Sequence, residues 1–356
     1  MKPKIAVFHN YMDNIGGAEI VGLTLARELD ADLYTTNIDK EKIAKMSFSD
    51  VIPRIKSISK IPINAPFRQQ LALFKFRKLN LKNKYDFYII DGDWAMSGAV
   101  NNHPNLWYVH SPIREIWDSY KYTRKNLVPW YFRNIFDLWV HLNRYLNKKY
   151  VKKADNICCN SKNTQNRLKK FLNKEAIVIN PPIETKKFYY KKNKDFWLSV
   201  NRLLPPKRVD MQIKAFSKMP DKKLIIVGSY EKSRNFVKYA SYIKKIKPKN
   251  VEIISWLDDK SLKELYANCR AFITTSIDED FGMTVLEAMA SGKQVIAPNE
   301  GGYKETVTKN TGILVNNINE NKIISAVNEI EKNIKKNPEK IKKDCQKQAK
   351  KQNSKK

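Results

Sequence analysis

The chain has 356 residues, and its 67 Lys and Arg against 36 Asp and Glu give a formal net charge of +31. This length suits two α/β domains, each with its own core, while the charge attracts nucleic acid, anionic membrane or phosphorylated substrates without distinguishing among them. No apolar run approaches the roughly 20 residues that span a bilayer. The first apolar stretch, 5–8, meets Asn10 too soon for a signal peptide, so we expect a cytoplasmic protein. The four cysteines lack CxxC spacing and a nearby histidine pair, which gives no indication of a zinc site or disulfide framework.

Short apolar runs alternate with helical patterns in the first half of the chain. This alternation predicts βαβ units and a parallel sheet. The predicted strands are Ile5–Phe8, Asp32–Thr35, Phe87–Ile90, Leu106–Val109 and Asn156–Cys159. After the first strand, Gly16 and Gly17 precede a helical pattern, and such a glycine turn lets a helix N-terminus approach an anion. An ordinary tight turn explains the two glycines equally well.

An aromatic and basic segment, residues 126–153, departs from this alternation. Its aromatic residues, with Trp130 and Tyr145 among them, alternate with cations such as Arg144 and Lys148 in a pattern typical of an amphipathic helix. Either the helix packs on the sheet, or it lies at the interface of an anionic membrane.

The second half of the chain repeats the α/β design. Its predicted strands are Phe196–Val200, Lys223–Val227, Val251–Ile254, Ala271–Thr274, Gln294–Ala297 and Gly312–Val315, and its predicted helices include Leu262–Asn268 and Thr284–Ala290. The paired prolines Pro181 and Pro182 stop any helix, and we predict that the hinge between the two domains lies there. We therefore predict domains at 1–183 and 184–345, followed by a basic, frayed tail at 346–356, where apolar periodicity is lost.

Charged residues follow two of the strands in the second half. Arg202 and Lys207 come after the strand that ends at Val200, where they could chelate a diphosphate; a solvated basic loop is the alternative. Glu279 and Glu287 stand eight residues apart after another strand, so a helix that begins at Thr284 places Glu279 in a loop and Glu287 one turn into the helix. One site could then hold a sugar at Glu279 and a ribose at Glu287.

This block resembles the E-x7-E signature of the retaining GT-B glycosyltransferases of family 4, and the resemblance covers nearly the whole chain. It extends from Gly16-Gly17 through the segment 108–112 and the Arg202/Lys207 and Glu279/Glu287 pairs to the segment 299–305. The second half is especially similar to archaeal first mannosyltransferases of lipid-linked glycan pathways. The resemblance implies two Rossmann-like domains whose parallel sheets face each other across a cleft.

The resemblance also implies roles for individual residues. Arg202, Lys207 and Gly17 bind the donor diphosphate, Glu279 contacts the transferred sugar, and Glu287 contacts the nucleotide ribose. Backbone amides at Phe281, Gly282 and Met283 hold sugar hydroxyls, Trp256 lines the base pocket, and His110 faces the reacting sugar. His110 and Glu279 are the catalytic candidates, although His110 could simply cap a strand end. The implied reaction is same-face substitution without a metal, and the acceptor is a lipid-linked or other saccharide.

The sequence also allows other functions. Asp91-Gly92-Asp93 spells the DxD of metal-dependent, single-domain GT-A enzymes and could ligate Mg²⁺ or Mn²⁺, or the two aspartates could shape an acceptor site or cap a helix. A UDP-sugar-dependent transferase and a sugar-nucleotide 2-epimerase share the GT-B architecture. A nucleic-acid binder fits the charge, but no motif supports one, and we expect no nucleic-acid partner.

Overall fold

The computed structural model describes residues 2–63, 67–228 and 234–353 of the chain. It divides into two compact units between Ile179 and Asn180, at the start of the segment that contains the paired prolines. The division falls four residues before the predicted boundary at 183/184.

The first unit is built on a seven-stranded, all-parallel sheet of order β3-β2-β1-β4-β5-β6-β7. Its strands are β1 (Ile5–Phe8), β2 (Asp32–Thr35), β3 (Ile55–Ser57), β4 (Phe87–Ile90), β5 (Asn105–Val109), β6 (Asn156–Cys159) and β7 (Ile177–Val178). Its helices are α1 (Gly17–Glu28), α2 (Lys40–Lys45), α3 (Phe67–Lys78), α4 (Tyr120–Asn126), α5 (Arg133–Val151) and α6 (Lys162–Leu172), with short 3-10 turns at 52–54, 95–100 and 130–132.

The core of the first unit follows from strand alternation. Phe8, Ile90 and Trp107 point to one face, where they pack with Phe76 of α3 and Leu168 of α6. Helix α1 contacts β1 and β2. Helices thus pack against the sheet, and side chains at the ends of its strands have fixed positions.

The second unit contains a six-stranded parallel sheet of order β10-β9-β8-β11-β12-β13. Its strands are β8 (Phe196–Val200), β9 (Lys223–Val227), β10 (Val251–Ile254), β11 (Phe272–Ile273), β12 (Val295–Pro298) and β13 (Gly312–Val315). Its helices are α7 (Val209–Ser217), α8 (Arg234–Ile246), α9 (Asp259–Asn268), α10 (Met283–Ala290), α11 (Tyr303–Thr306), α12 (Glu320–Lys336) and α13 (Pro338–Asn353), with 3-10 turns at 185–187 and 205–207.

Two apolar clusters cover the faces of this second sheet. Leu198 and Phe272 belong to the cluster that includes residues of α9, α10 and α13. Trp197 and Ile273, their neighbours in sequence, belong to the cluster that includes residues of α7 and α12. This is the doubly covered parallel sheet that the near-continuous apolar strands predict.

The predicted strands are confirmed: eight of the eleven have the predicted ends, and the ends of the other three shift by at most one residue. Two edge strands, β3 and β7, were not predicted from the sequence, because they are only three and two residues long and their polar neighbours hide any period.

The predicted frayed tail at 346–356 is wrong for residues 346–353, and residues 354–356 lie outside the described residues. Helix α13 continues to Asn353 and packs on α10. Its contact face consists of small or amide side chains: Cys345 and Ala349 are fully buried, and Gln352 donates to the carbonyl of Glu305 at 2.9 Å. A helix that buries alanine and glutamine has weak apolar periodicity, which is why the sequence pattern failed to predict it.

Helix α5 resolves the aromatic segment into an inner and an outer face. Val140 and Val151 are buried, whereas Leu138 exposes 73% of its surface and Trp130, in the turn just before the helix, exposes 77%. Across the described ranges no helix is long and apolar enough to cross a membrane.

Candidate active site

Three polar side chains meet at the carboxyl edge of the first sheet. His9 follows β1, Asp91 follows β4 and His110 follows β5, and these strands are neighbours in the sheet. The order reverses between β1 and β4, and open α/β sheets bind ligands at such a switch point.

Asp91 links the two histidines and is completely buried. Its Oδ2 lies 2.8 Å from Nδ1 of His9, and its Oδ1 lies 2.8 Å from Nε2 of His110. His9 also faces Glu19, with 3.7 Å between its Nε2 and Oε1 of the glutamate. Burial opposes a charge on His9, but hydrogen bonds and charges from Asp91 and Glu19 outweigh burial and raise its pKa to about 10.

The glycine turn lies beside this cluster. Gly16 is the N-cap of α1, and its N–H donates to Oε2 of Glu19 at 2.9 Å. Gly17 begins the helix and is exposed, so the first amides of α1 are available to an anion. The capping carboxylate of Glu19 thus joins the turn to His9.

The two aspartates of the DxD tripeptide have different surroundings. Asp91 uses both oxygens on imidazoles, as described above. Oδ1 of Asp93 accepts from Nδ2 of Asn10 at 2.6 Å and from the Trp94 amide at 2.8 Å. Burial raises the pKa of Asp93, and burial together with the charge of Asp93 raises the pKa of Glu115 to about 7. Among the described residues, no group of three or more His, Cys, Asp or Glu is arranged to hold a metal ion.

The second sheet also reverses its order, between β8 and β11. Arg202 lies exposed just after β8, and Lys207 ends the 3-10 turn that follows. Nζ of Lys207 lies 2.6 Å from Oε2 of Glu279, in the loop after β11, and both side chains are largely shielded from solvent. The structure therefore brings together one candidate diphosphate ligand and the candidate sugar ligand.

Glycines pack the Glu279 loop tightly. A Cβ on Gly301 would lie 2.4 Å from the Glu279 carbonyl oxygen, and one on Gly302 would lie 2.6 Å from Cα of Phe281. The Gly302 amide donates to the Glu279 carbonyl at 2.8 Å. Gly282, at φ +91°, is the N-cap of α10, which begins at Met283. No larger residue fits these approaches, so the glycines fix the loop and the amides at its end.

Glu287 lies on α10, one turn after Met283, as the sequence predicts. Its Oε2 accepts from the Tyr266 hydroxyl at 2.7 Å, and burial raises its pKa. Trp256 is half-buried in the loop after β10, and its neighbour Leu257 packs against the cluster that contains Phe281.

Sequence reasoning missed several polar partners at these sites. His9 and Tyr266 were not singled out, and Asp91 was considered only as a metal ligand, as part of the acceptor site or as a helix cap. The interaction between Arg208 and Glu300, with a closest N–O distance of 3.3 Å, was missed as well. The available signal for His9 was its place directly after β1, because polar residues after adjacent parallel strands converge at one sheet edge.

Comparison with known proteins finds glycosyltransferases among the similar sequences. Residues 182–352 match the family described as glycosyl transferases group 1. The chain is 33% identical over 198 residues to the uncharacterized glycosyltransferase MJ1178 of Methanocaldococcus jannaschii, a match that covers 53% of this chain and 54%, about half, of that protein. It is 26% identical over 374 residues to the alpha-1,3/1,6-mannosyltransferase ALG2 of Saccharomyces cerevisiae, covering 86% of this chain and 71% of that one.

Among solved structures, the crystal structure of Anabaena HepE in complex with UDP and glucose superimposes with a TM-score of 0.74 at 17% identity, covering 98% of this chain and 95% of that chain. Two parallel-sheet α/β units of this kind define the GT-B glycosyltransferase fold. Residues 182–352, which make up most of the second unit, are thus similar to the group 1 glycosyltransferases.

Proposed function

We propose that this protein is a retaining mannosyltransferase that moves mannose from GDP-mannose onto a lipid-linked or other glycan acceptor, in the assembly of a cell-surface polysaccharide or glycoprotein glycan. The observation that carries the proposal is the Lys207–Glu279 pair at the switch point of the second sheet. The name of the ALG2 relative supports mannose as the sugar. The similarity to the group 1 glycosyltransferases supports a nucleotide-sugar donor.

The donor is held by residues of the second unit. Arg202 and Lys207 meet the diphosphate, and Lys207 turns from Glu279 toward the phosphates when the donor binds. Glu279 is then released to accept hydrogen bonds from sugar hydroxyls, and the amides at Phe281, Gly282 and Met283 help to orient the sugar. Glu287 and Trp256 hold the ribose and base.

The reaction is substitution on one face of the sugar. The bond between C1 and the donor phosphate oxygen breaks, and the acceptor hydroxyl oxygen bonds to C1 on the same face. The hydroxyl proton passes to the departing phosphate oxygen, so GDP leaves with that proton. Cations beside the diphosphate stabilise the charge that develops on it, and His110 is the catalytic candidate of the first unit.

Activity needs no added metal ion in this proposal, because side-chain cations and helix amides meet the charge of the diphosphate. The test is activity after dialysis against EDTA. Loss of activity that Mn²⁺ restores would favour Asp91 and Asp93 as metal ligands instead.

The acceptor is presented at a membrane in this proposal. The outer face of α5 and the preceding turn form an exposed apolar surface, the α5 face, consisting of Trp130, Tyr131, Phe132, Ile135, Leu138, Leu142 and Tyr145. Four exposed lysines lie in the last turn of this helix and just after it, at 148, 149, 152 and 153. A surface with interfacial aromatic rings and adjacent cations fits anionic lipid, so the protein binds the membrane peripherally at its cytoplasmic side.

A thermal-shift panel tests the donor. GDP-mannose and GDP should raise the melting temperature, because a ligand that binds only the folded state stabilises it. A rise with UDP-sugars alone would make the chain a UDP-sugar-dependent transferase of the same fold. Conversion of a UDP-sugar with no acceptor present would point to a 2-epimerase.

A further inference from the structure

His9 has a setting unlike that of a core histidine. It is almost fully buried, and each of its ring nitrogens faces a carboxylate: Nδ1 lies 2.8 Å from Asp91 and Nε2 lies 3.7 Å from Glu19. A neutral imidazole carries one N–H, whereas the imidazolium carries two. Two carboxylates on opposite sides of the ring therefore select the cation.

Asp91 needs such a cation. It has no exposed surface, and each oxygen accepts from an imidazole, His9 on one side and His110 on the other. A buried carboxylate is costly unless it is paired and hydrogen-bonded. His110 remains partly exposed and can reach a substrate, whereas the buried His9 cannot.

Helix α1 packs directly against Asp91 and His9. Gly22 lies over the Asp91 carboxylate, and a Cβ there would come within 2.7 Å of Oδ2 of Asp91 and 3.3 Å of Nδ1 of His9. Glu19, one turn earlier, binds the Gly16 amide through its other oxygen. The series Glu19–His9–Asp91–His110 is thus clamped between the helix and the sheet edge.

We propose that His9 is a positioning residue, an imidazolium that fixes the Asp91 carboxylate and through it the ring of His110. Because Asp91 accepts from Nε2 of His110, this contact keeps a proton on Nε2, and in the neutral form of the ring Nδ1 therefore keeps its lone pair. The consequence for catalysis rests on the proposed function, whereas the consequence for the His110 ring does not.

The kinetic test uses His9→Leu and His9→Asn. Replacement with leucine removes both the donor and the charge, and we expect kcat to fall at least tenfold with the KM for the sugar donor changed less than twofold. His9→Asn places an amide donor near the former Nδ1 and should recover part of kcat. A leucine variant that is folded and keeps wild-type kcat overturns the proposal.

The structural test reads the His110 ring directly by ¹⁵N NMR. The chain has only four histidines, so His103→Gln and His141→Gln leave a spectrum of two rings. In this background His110 should show the pattern of an Nε2-protonated ring, and His9→Leu should move it toward tautomer averaging. Unchanged His110 signals in a folded His9→Leu protein overturn the proposal. Absence of any transferase activity, with the His110 signals shifted as expected, would instead refute the proposed function alone.

Gly22→Ala is a second variant, which perturbs the contact between His9 and Asp91 without changing either histidine. Its methyl group must displace the Asp91 carboxylate or α1, so the His110 signals should shift as in His9→Leu. Glu28→Ala, on the exposed end of the same helix, is the matched control and should leave the signals unchanged. Identical spectra for Gly22→Ala, Glu28→Ala and wild type would contradict the clamp.

Discussion

Lys207 and Arg202 are the residues on which nucleotide binding should depend most. Hydrogen bonds to charged groups contribute roughly 1.5–3 kcal/mol, so Arg202→Ala or Lys207→Ala should weaken GDP binding by about 10-fold to 100-fold. Isothermal titration calorimetry with GDP measures this directly. Lys218→Ala removes a surface lysine paired with Glu320 in the same unit and should leave the affinity unchanged. Equal GDP affinity in all four proteins would remove both cations from the site.

Glu115 should make the stability of the protein depend on pH. Its pKa rises from 4.5 in the unfolded chain to about 7 in the folded protein, so its contribution to stability is full below pH 4.5 and is lost as the pH rises through 7. Glu115→Gln lacks this loss. The free energy of unfolding of the variant, relative to wild type, should therefore increase by roughly 2 kcal/mol between pH 5 and pH 8. Urea denaturation at several pH values tests this, and a pH-independent difference would contradict it.

At the residue scale, the sequence predicts whether a residue lies in a loop or a helix better than it predicts which side chain that residue contacts. Glu279 in a loop and Glu287 on a helix follow from spacing, because helix geometry is local. The pairing of Lys207 with Glu279 and that of His9 with Asp91 depend on which strands are neighbours. Strand order comes from the tertiary fold, and local sequence periodicity does not encode it.

At the scale of elements, α13 shows what apolar periodicity misses. Ala349 is fully buried against the second unit, so Ala349→Glu buries a charge without a partner and should destabilise the protein by roughly 3 kcal/mol or more. Lys347→Glu, an exposed position on the same helix, is the control and should cost little. Thermal unfolding compares them, and equal melting temperatures would mean that α13 does not pack as described.

The α5 face should bind anionic vesicles. Trp130→Ser, Ile135→Ser and Leu138→Ser together remove interfacial apolar contact and should abolish most sedimentation with vesicles that contain phosphatidylglycerol. The matched control is Val237→Ser with Tyr242→Ser, which changes two hydrophobic residues of the second unit that are 41% and 42% exposed. If wild type stays in the supernatant with these vesicles at low salt, the membrane proposal fails. If the control and the triple variant pellet equally, another surface binds.

Charge on the same element is tested separately by changing Lys148, Lys149, Lys152 and Lys153 to Gln. Each cation near an anionic surface contributes on the order of 1 kcal/mol, so binding should weaken and lose most of its salt dependence. Arg144 is left in place because its side chain donates to the Ile116 carbonyl at 2.7 Å and stacks over the ring of Tyr120. An unchanged salt dependence in the lysine variant would contradict a role for these charges.

At the scale of the molecule, the two-unit α/β architecture could be predicted because βαβ units repeat and paired prolines interrupt them. The division falls at Ile179/Asn180, and both sheets have the parallel arrangement expected of GT-B enzymes. The sugar and the acceptor could not be predicted from this architecture, because one fold hosts many substrates and specificity resides in a few contacts.

The most direct test of the central claim is transfer of radiolabelled mannose from GDP-mannose into a lipid extract that contains polyprenyl-diphosphate acceptors, with the anomeric configuration of the product determined by NMR. We predict an α-linked product, the same configuration as the donor, from wild type in the presence of EDTA, and little or none from Lys207→Ala. Transfer from UDP-sugars alone, or a product of inverted configuration, would contradict the account.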